Sequence, residues 1–354
     1  LLCQLPVPGN RHTSKITPGW GARGAMRESA GMSDDGLLGA ADVRRLAAEL
    51  GVHPTKQKGQ NFVIDGNTVR RIVRTAEVGA DDVVIEVGPG PGGLTRALLE
   101  TGARVVAVEK DPRFIPILND LAEAADGRLT VVEADALDVD EAALAQGAPA
   151  SIVANLPYNI ATPIISNLLV GPLVPETMTV TIQKELADRM VAAPGSKDYG
   201  ALSIWLQSQC QVRVVRLLPP TVFWPRPKVT SAIVHLRTIG ERVAAIPDRA
   251  FFQQFVRSLF LHRRKFLRSV LQVACRDLLS KADVDDILAQ QGFGPDARAE
   301  QLRAAVARGL VDHRRDAAGA SEGAHRRPRD RGDRDRRRRR RRDLRRSRAG
   351  GRAL

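Results

Sequence analysis

Between residues 83 and 236 the chain alternates short runs of β-branched and aliphatic residues with stretches whose apolar positions recur every three or four residues. The runs Val83–Val87, Arg104–Val108, Leu129–Val132 and Ser151–Ala154 predict four buried strands. Further strands are predicted over Thr177–Ile182, Val212–Leu217 and Ser231–Leu236, with helices around 184–193 and 199–209. Two amphipathic helices precede the first strand. One runs through Val43, Leu46, Ala47 and Leu50 and stops at Gly51; the other runs through Val69, Ile72, Val73 and Ala76. This alternation predicts an α/β fold, a seven-stranded, mostly parallel sheet with helices on both faces, in a domain spanning 32–246. Beyond Pro247 only the helical period persists, at Phe252, Phe255, Leu259 and Ile287, so a small C-terminal helical domain is predicted over 247–303.

The flanks differ from this core. Residues 1–31 are rich in Gly, Pro, Ser and Arg without a period, which predicts disorder or a non-native extension; Met32 is the expected start of the protein. From Ala304 to residue 354 the sequence becomes Arg-rich and of low complexity, a composition expected to form no packed core.

Charge changes the picture only once it is divided along the chain. The formal net charge is +14, but residues 314–354 hold 18 Arg against 6 acidic residues, leaving 36 basic against 34 acidic residues for 1–313. Any nucleic-acid contact by the folded part must therefore come from local patches. No apolar run approaches the roughly 18 residues that span a bilayer, so a cytoplasmic protein is expected. Cys3, Cys210 and Cys275 lie far apart and the six histidines are scattered, which suggests neither a disulfide framework nor a metal site.

Candidate chemistry gathers at the predicted strand ends. Gly88-Pro89-Gly90-Pro91-Gly92-Gly93 follows the first strand of the sheet and opens a helix at Leu94, Ala97 and Leu98. Glycines there let the backbone turn sharply and let a ligand lie on the main chain, which points to a nucleoside-bearing cofactor or to a purely structural turn. Glu109 follows Gly88 at the interval where an acid accepts hydrogen bonds from a ribose, though a solvated acid at a strand end reads the same way. Asp135 is placed to accept from an adenine amine, or is a simple turn aspartate. The tetrapeptide Asn155-Leu156-Pro157-Tyr158 ends the next strand. An amino group on a base is a poor nucleophile because its lone pair is delocalised into the ring, so a site must accept hydrogen bonds from it and hold it in line. The Asn carbonyl can accept, Pro157 stiffens the turn and Tyr158 offers a face for stacking.

Taken with Gly59-Gln60-Asn61-Phe62, Glu86-Val87-Gly88, the loop Pro194–Gly200 and Val222-Phe223-Trp224-Pro225-Arg226-Pro227-Lys228-Val229, these motifs give residues 40–302 a specific likeness. The chain resembles the S-adenosylmethionine-dependent adenine-N6 dimethyltransferases of small-subunit (16S) ribosomal RNA. The resemblance implies a Rossmann-like methyltransferase domain over 32–246, an RNA-binding role for 247–303, and S-adenosyl-L-methionine as cofactor. It also implies 16S rRNA in the small ribosomal subunit as partner, a monomeric protein, and two adjacent adenosines in a hairpin near the RNA 3′ end as substrate. It places Asn155, Leu156, Pro157 and Tyr158 in catalysis. Asn61, Val63, Gly88, Gly90, Glu109, Asp135 and Asn155 would bind the cofactor, and Phe223 would help Tyr158 receive the flipped base. The basic clusters Arg226 and Lys228, and Arg263, Arg264 and Lys265 with their neighbours, read as RNA phosphate contacts or, for the second, as solvated helix surface.

Two departures stand out. Lys265-Phe266-Leu267-Arg268-Ser269 replaces the family's Lys-Thr-x-Arg-Asn, and the expected closing helix after Arg298-Ala299-Glu300-Gln301-Leu302 gives way to the Arg-rich run. That run is either a basic arm or an out-of-frame reading of GC-rich DNA, the second being the preferred reading. Alternative functions are a 23S rRNA adenine methyltransferase conferring antibiotic resistance, a non-catalytic ribosome assembly factor, and a nicotinamide dehydrogenase. The last lacks an evident hydride-transfer acid/base pair.

Overall fold

All seven predicted strands form one sheet, with no strand end displaced by more than two residues. The computed structural model describes residues 37–52, 60–262, 265–275 and 279–309. The extension 1–31, Gly59, Arg263, Arg264 and the chain beyond 309 lie outside the described residues. Helix α1 (Ala40–Glu49), the two-residue strand β1 (Phe62–Val63) and α2 (Gly66–Ala76) lead into β2 (Val83–Val87), α3 (Gly93–Leu99), β3 (Arg104–Glu109), α4 (Ile115–Glu123) and β4 (Leu129–Glu133). Next come α5 (Glu141–Leu144), β5 (Ala150–Asn155), α6 (Ala161–Val170), β6 (Thr177–Gln183), α7 (Lys184–Val191) and α8 (Ala201–Gln207). Strands β7 (Cys210–Leu218), β8 (Phe223–Trp224) and β9 (Ser231–Thr238) precede α9 (Gly240–Ala244), α10 (Arg249–Phe260), α11 (Leu267–Ala274) and α12 (Lys281–Gln290).

The sheet order is β4-β3-β2-β5-β6-β9-β7, parallel from β4 to β6 and antiparallel at β9 and β7. Central parallel strands are covered on both sides, so they read as unbroken apolar runs, and β2 is buried along its whole length. Its side chains alternate between two cores: Val83, Ile85 and Val87 join one, and Val84 joins the other with Val69, Ile72 and Leu98 of α2 and α3. Strand β2 has β3 on one side and β5 on the other. The chain order therefore reverses there, and the C-terminal ends of β2, β3 and β5 open onto a crevice.

The C-terminal helices pack directly on the sheet domain. Phe252, Phe255 and Leu259 of α10 belong to the same core as β5 and β6, with Phe252 against Trp205 of α8 at 6.0 Å between ring centroids. The Pro194–Gly200 loop strengthens this union: Gly195 N–H donates to the Glu300 carbonyl (2.7 Å), and the fully buried Tyr199 donates its hydroxyl to the Leu302 carbonyl (2.6 Å). Helical structure continues past Arg303. Residues 304–309 are helical, Ala307 is completely buried, and Arg308 Nη1 donates to the Ser208 carbonyl. The small apolar residues Ala304, Val306 and Ala307 are enough to continue the packing before the arginines begin. Among the described residues no helix is long and apolar enough to cross a membrane.

Candidate active site

The glycine turn after β2 uses its glycines for two different reasons. Gly88 (φ +70°) and Gly90 (φ +55°) both sit in the left-handed region, where a Cβ is strained. A Cβ on Gly88 would meet nothing within 4 Å, so the space over it is open. A Cβ on Gly90 would fall 2.7 Å from Phe62 Cε1, so here glycine is needed for close approach of an aromatic ring.

Glu109, the last residue of β3, is buried against this turn. Its Oε2 accepts the Gly90 N–H (2.9 Å) and its Oε1 accepts the Asp111 N–H (2.8 Å). Burial pushes its carboxyl up, and the N–H groups of Asp111, Gly90 and Lys110 offset part of that rise. Glu86 of β2 lies deeper still. Burial, eased in part by Thr95 and reinforced by the charge of Glu109, pushes its carboxyl up to about 8. Its Oε2 is buried without a hydrogen bond of ordinary geometry.

The opposite wall is Asn155, at the end of β5. Its Nδ2 donates to the Asn61 carbonyl at 2.7 Å. A carbonyl can only accept, so the bond fixes the amide's orientation and turns Oδ1 away as an acceptor. Asn61 is itself held by a clip: β1 pairs antiparallel with β8, Phe62 opposite Trp224 and Val63 opposite Phe223. Phe62 then stacks on Trp224 (6.4 Å) and meets Phe114 edge-on (5.7 Å). Asn61, Phe62, Gly88, Gly90, Glu109, Phe114, Asn155, Leu156, Pro157 and Tyr158, with Gln60, line one narrow cleft. A larger cavity, about 670 Å³, lies at the far end of β6 and β9, lined by Glu176, Thr177, Arg237 and Thr238 among others; it contains none of the residues singled out above.

Several expected site residues sit elsewhere. Phe223 is only 2% exposed and belongs to the core beneath the sheet, so it offers no face to a base. Val63 packs against the same core and does not line the cleft. Asp135, two residues beyond β4, lies outside the cleft lining and holds Lys110 Nζ and the Leu137 N–H. Burial pushes its carboxyl up, but these partners more than offset that and hold it below the usual carboxylate range. Leu156 does line the cleft, but it is buried and its N–H donates to the Thr181 carbonyl (3.2 Å), so its side chain serves packing. Arg226, Lys228 and Lys265 are exposed. Arg268, three residues after Lys265, is instead engaged by both carboxylate oxygens of Asp285. Gln60, Phe62, Phe114 and Glu86 were not singled out individually. Gln60, Phe62 and Glu86 stand inside the motifs quoted above, and Phe114 is signalled only as an aromatic following the strand-end acid Glu109.

Chemically, the cleft has a main-chain floor open above Gly88, a carboxylate at its edge for hydroxyl donors, and an oriented amide oxygen beside an aromatic face. Two carboxyls, Glu86 and Glu109, lie beneath or beside it, both pushed up by burial. The open glycine floor and the acid at the strand end fit a nucleoside-bearing ligand such as S-adenosyl-L-methionine.

Residues 53–303 match the family described as ribosomal RNA adenine dimethylase. The chain is 49% identical over 267 residues to ribosomal RNA small subunit methyltransferase A of Caulobacter vibrioides, covering 75% of this chain and 98% of that one. It is 48% identical to the protein of the same name from Phenylobacterium zucineum, covering 74% and 88%. Among solved structures it superposes on a dimethyladenosine transferase from Plasmodium falciparum with a TM-score of 0.63 at 23% identity, covering 72% and 97%, a likeness of fold. It superposes on the 23S rRNA methyltransferase ErmE with a TM-score of 0.54 at 29% identity, covering 71% and 98%.

Proposed function

The chain belongs to the ribosomal RNA adenine dimethylase family, and on that premise we propose that its cleft brings S-adenosyl-L-methionine together with the amine of an adenosine in small-subunit RNA. The protein is an S-adenosylmethionine-dependent rRNA adenine-N6 dimethyltransferase. The observation that carries the assignment to this cleft is the Asn155–Asn61 bond, which leaves one amide oxygen oriented at the rim of an open glycine turn.

When bound, S-adenosyl-L-methionine supplies a methyl group on a sulfonium sulfur, ready for direct displacement. The Gly88 main chain would support its methionine portion, Glu109 would accept from its ribose hydroxyls, and Asp135, now paired with Lys110, would accept from its adenine amine. Asn155 Oδ1 accepts a hydrogen from the target amine and fixes the direction of the nitrogen lone pair. Pro157 keeps the turn rigid, and stacking on Tyr158 offsets part of the cost of unstacking the base, being worth roughly 1–3 kcal/mol. The released proton passes to solvent, since Glu109 is tied to backbone N–H groups.

The substrate is a pair of adjacent adenosines in a hairpin near the 3′ end of 16S rRNA, each methylated twice on the small subunit in the cytoplasm by a monomeric enzyme. Arg226, Lys228 and Lys265, with Arg263 and Arg264, hold the phosphates. Labelled S-adenosylmethionine with unmethylated small subunits, large subunits and free RNA tests this reading. Dimethyladenosine confined to the small subunit is expected. Label in the large subunit would favour a 23S activity like that in the ErmE name, and no label anywhere would favour an assembly factor.

A further inference from the structure

Tyr158 is fixed at both ends. Its backbone belongs to the turn after β5, and its hydroxyl shares a 2.6 Å hydrogen bond with Ser231 Oγ, across 73 residues of sequence. Ser231 is completely buried and opens β9, where it pairs with Gln183 of β6 and Leu218 of β7, so both neighbouring strands hold it. Burial pushes the Tyr158 phenol up and the Ser231 bond offsets part of that rise. The hydroxyl therefore stays neutral and able to share the hydrogen bond throughout the physiological range.

Ser231 also ends the loop that carries the exposed Arg226 and Lys228, and the neighbouring Thr230 carbonyl accepts the Lys184 N–H at 3.0 Å. A ring held only at its Cβ can tilt and rotate. One held also at Oη presents a single face to the cleft, at a height set by the sheet. Phosphates gripped by the loop and a base stacked on the ring are then referred to the same rigid strand.

We propose that Ser231 is a positioning residue for the methyl acceptor: through the Tyr158 hydroxyl it sets the tilt of the ring on which the target adenine stacks, and ties that tilt to the RNA-holding loop. The inference rests on the methyltransferase reading above. It assigns Ser231 no contact with the cofactor or the RNA.

The test measures methyl transfer to unmethylated small subunits, with cofactor affinity by calorimetry, for Ser231→Ala, Ser231→Thr, Tyr158→Phe and the double variant Ser231→Ala/Tyr158→Phe. Losing one hydrogen bond that acts on the reacting geometry should lower kcat by about 5- to 10-fold, with KM for the subunit and cofactor affinity within about twofold of wild type. Tyr158→Phe should match Ser231→Ala, the double variant should be no worse than either, and Ser231→Thr should recover most of the rate. Multiplying defects in the double variant, or a parallel fall in cofactor affinity, overturns the proposal. If Ser231→Ala does not fold, Tyr158→Phe removes the same bond without touching β9, and wild-type kcat in that variant overturns it alone. A wild-type enzyme that methylates no small subunit refutes the function; an active wild type with unaffected variants refutes only the positioning role.

Discussion

Replacing Gly88 and Gly90 separately by alanine distinguishes a glycine kept for a ligand from one kept for the fold. Both have positive φ, +70° and +55°, so each alanine costs about 1–2 kcal/mol of backbone strain. At Gly88 that is the whole cost to the unliganded protein, because the new methyl meets nothing within 4 Å. At Gly90 the methyl would lie 2.7 Å from one Phe62 ring carbon and 3.1 Å from another, where carbon contacts settle at about 3.5–4.0 Å. The ring must retreat by about 1 Å, and it is already pinned between Phe114 and Trp224. Overpacking of this kind adds about 1–3 kcal/mol. Gly90→Ala should therefore melt lower than Gly88→Ala by several degrees, at about 2–4 °C per kcal/mol for a domain of this size. Cofactor binding should rank them the other way relative to stability. Gly88→Ala projects its methyl into the space assigned to the cofactor and should lose at least about tenfold in affinity, about 1.4 kcal/mol, despite its smaller fall in Tm. Thermal unfolding of the cofactor-free proteins and calorimetry with S-adenosylmethionine read the two quantities. Equal melting points would refute the steric argument, and normal affinity in Gly88→Ala would refute the placement of the cofactor.

Glu86→Gln should change how stability depends on pH. The folded carboxyl titrates near 8 and the unfolded one near 4.5, so the unfolded chain sheds its proton first and wild-type stability is eroded as pH rises between those values. The erosion is on the order of a few kcal/mol, and urea unfolding at pH 5 and pH 8 should show Glu86→Gln losing much less; parallel losses would reject it. Asn155→Ala should lower kcat by about 100-fold or more with cofactor affinity nearly unchanged, and near-normal turnover counts against Asn155 as the acceptor of the amine. Neutralising Arg226, Lys228 and Lys265 together should reduce the slope of log affinity for RNA against log salt by about 2, at roughly 0.7 per phosphate contact, and an unchanged slope removes these residues from the RNA interface.

The seven strands were legible because burial on both faces leaves long apolar runs, and the turns that line the cleft because glycine, acid and amide stand at the ends of those runs. The clip of β1 and β8 was not, since two-residue strands have no period and these two are separated by some 160 positions in sequence. The misplacing of Val63 and Phe223 follows from that one omission. Residues opposite each other on paired strands point to the same side. Val63 faces the core, so its partner Phe223 must face the core too, whatever its motif suggests. Phe62 faces the cleft, so its partner Trp224 lies with it, and the two rings stack. A motif identifies which few residues are near a site, but only the pairing register decides which of two adjacent aromatics is turned toward it. Here the register selects Trp224, which supports the cleft wall through Phe62, and places Phe223 in the foundation beneath.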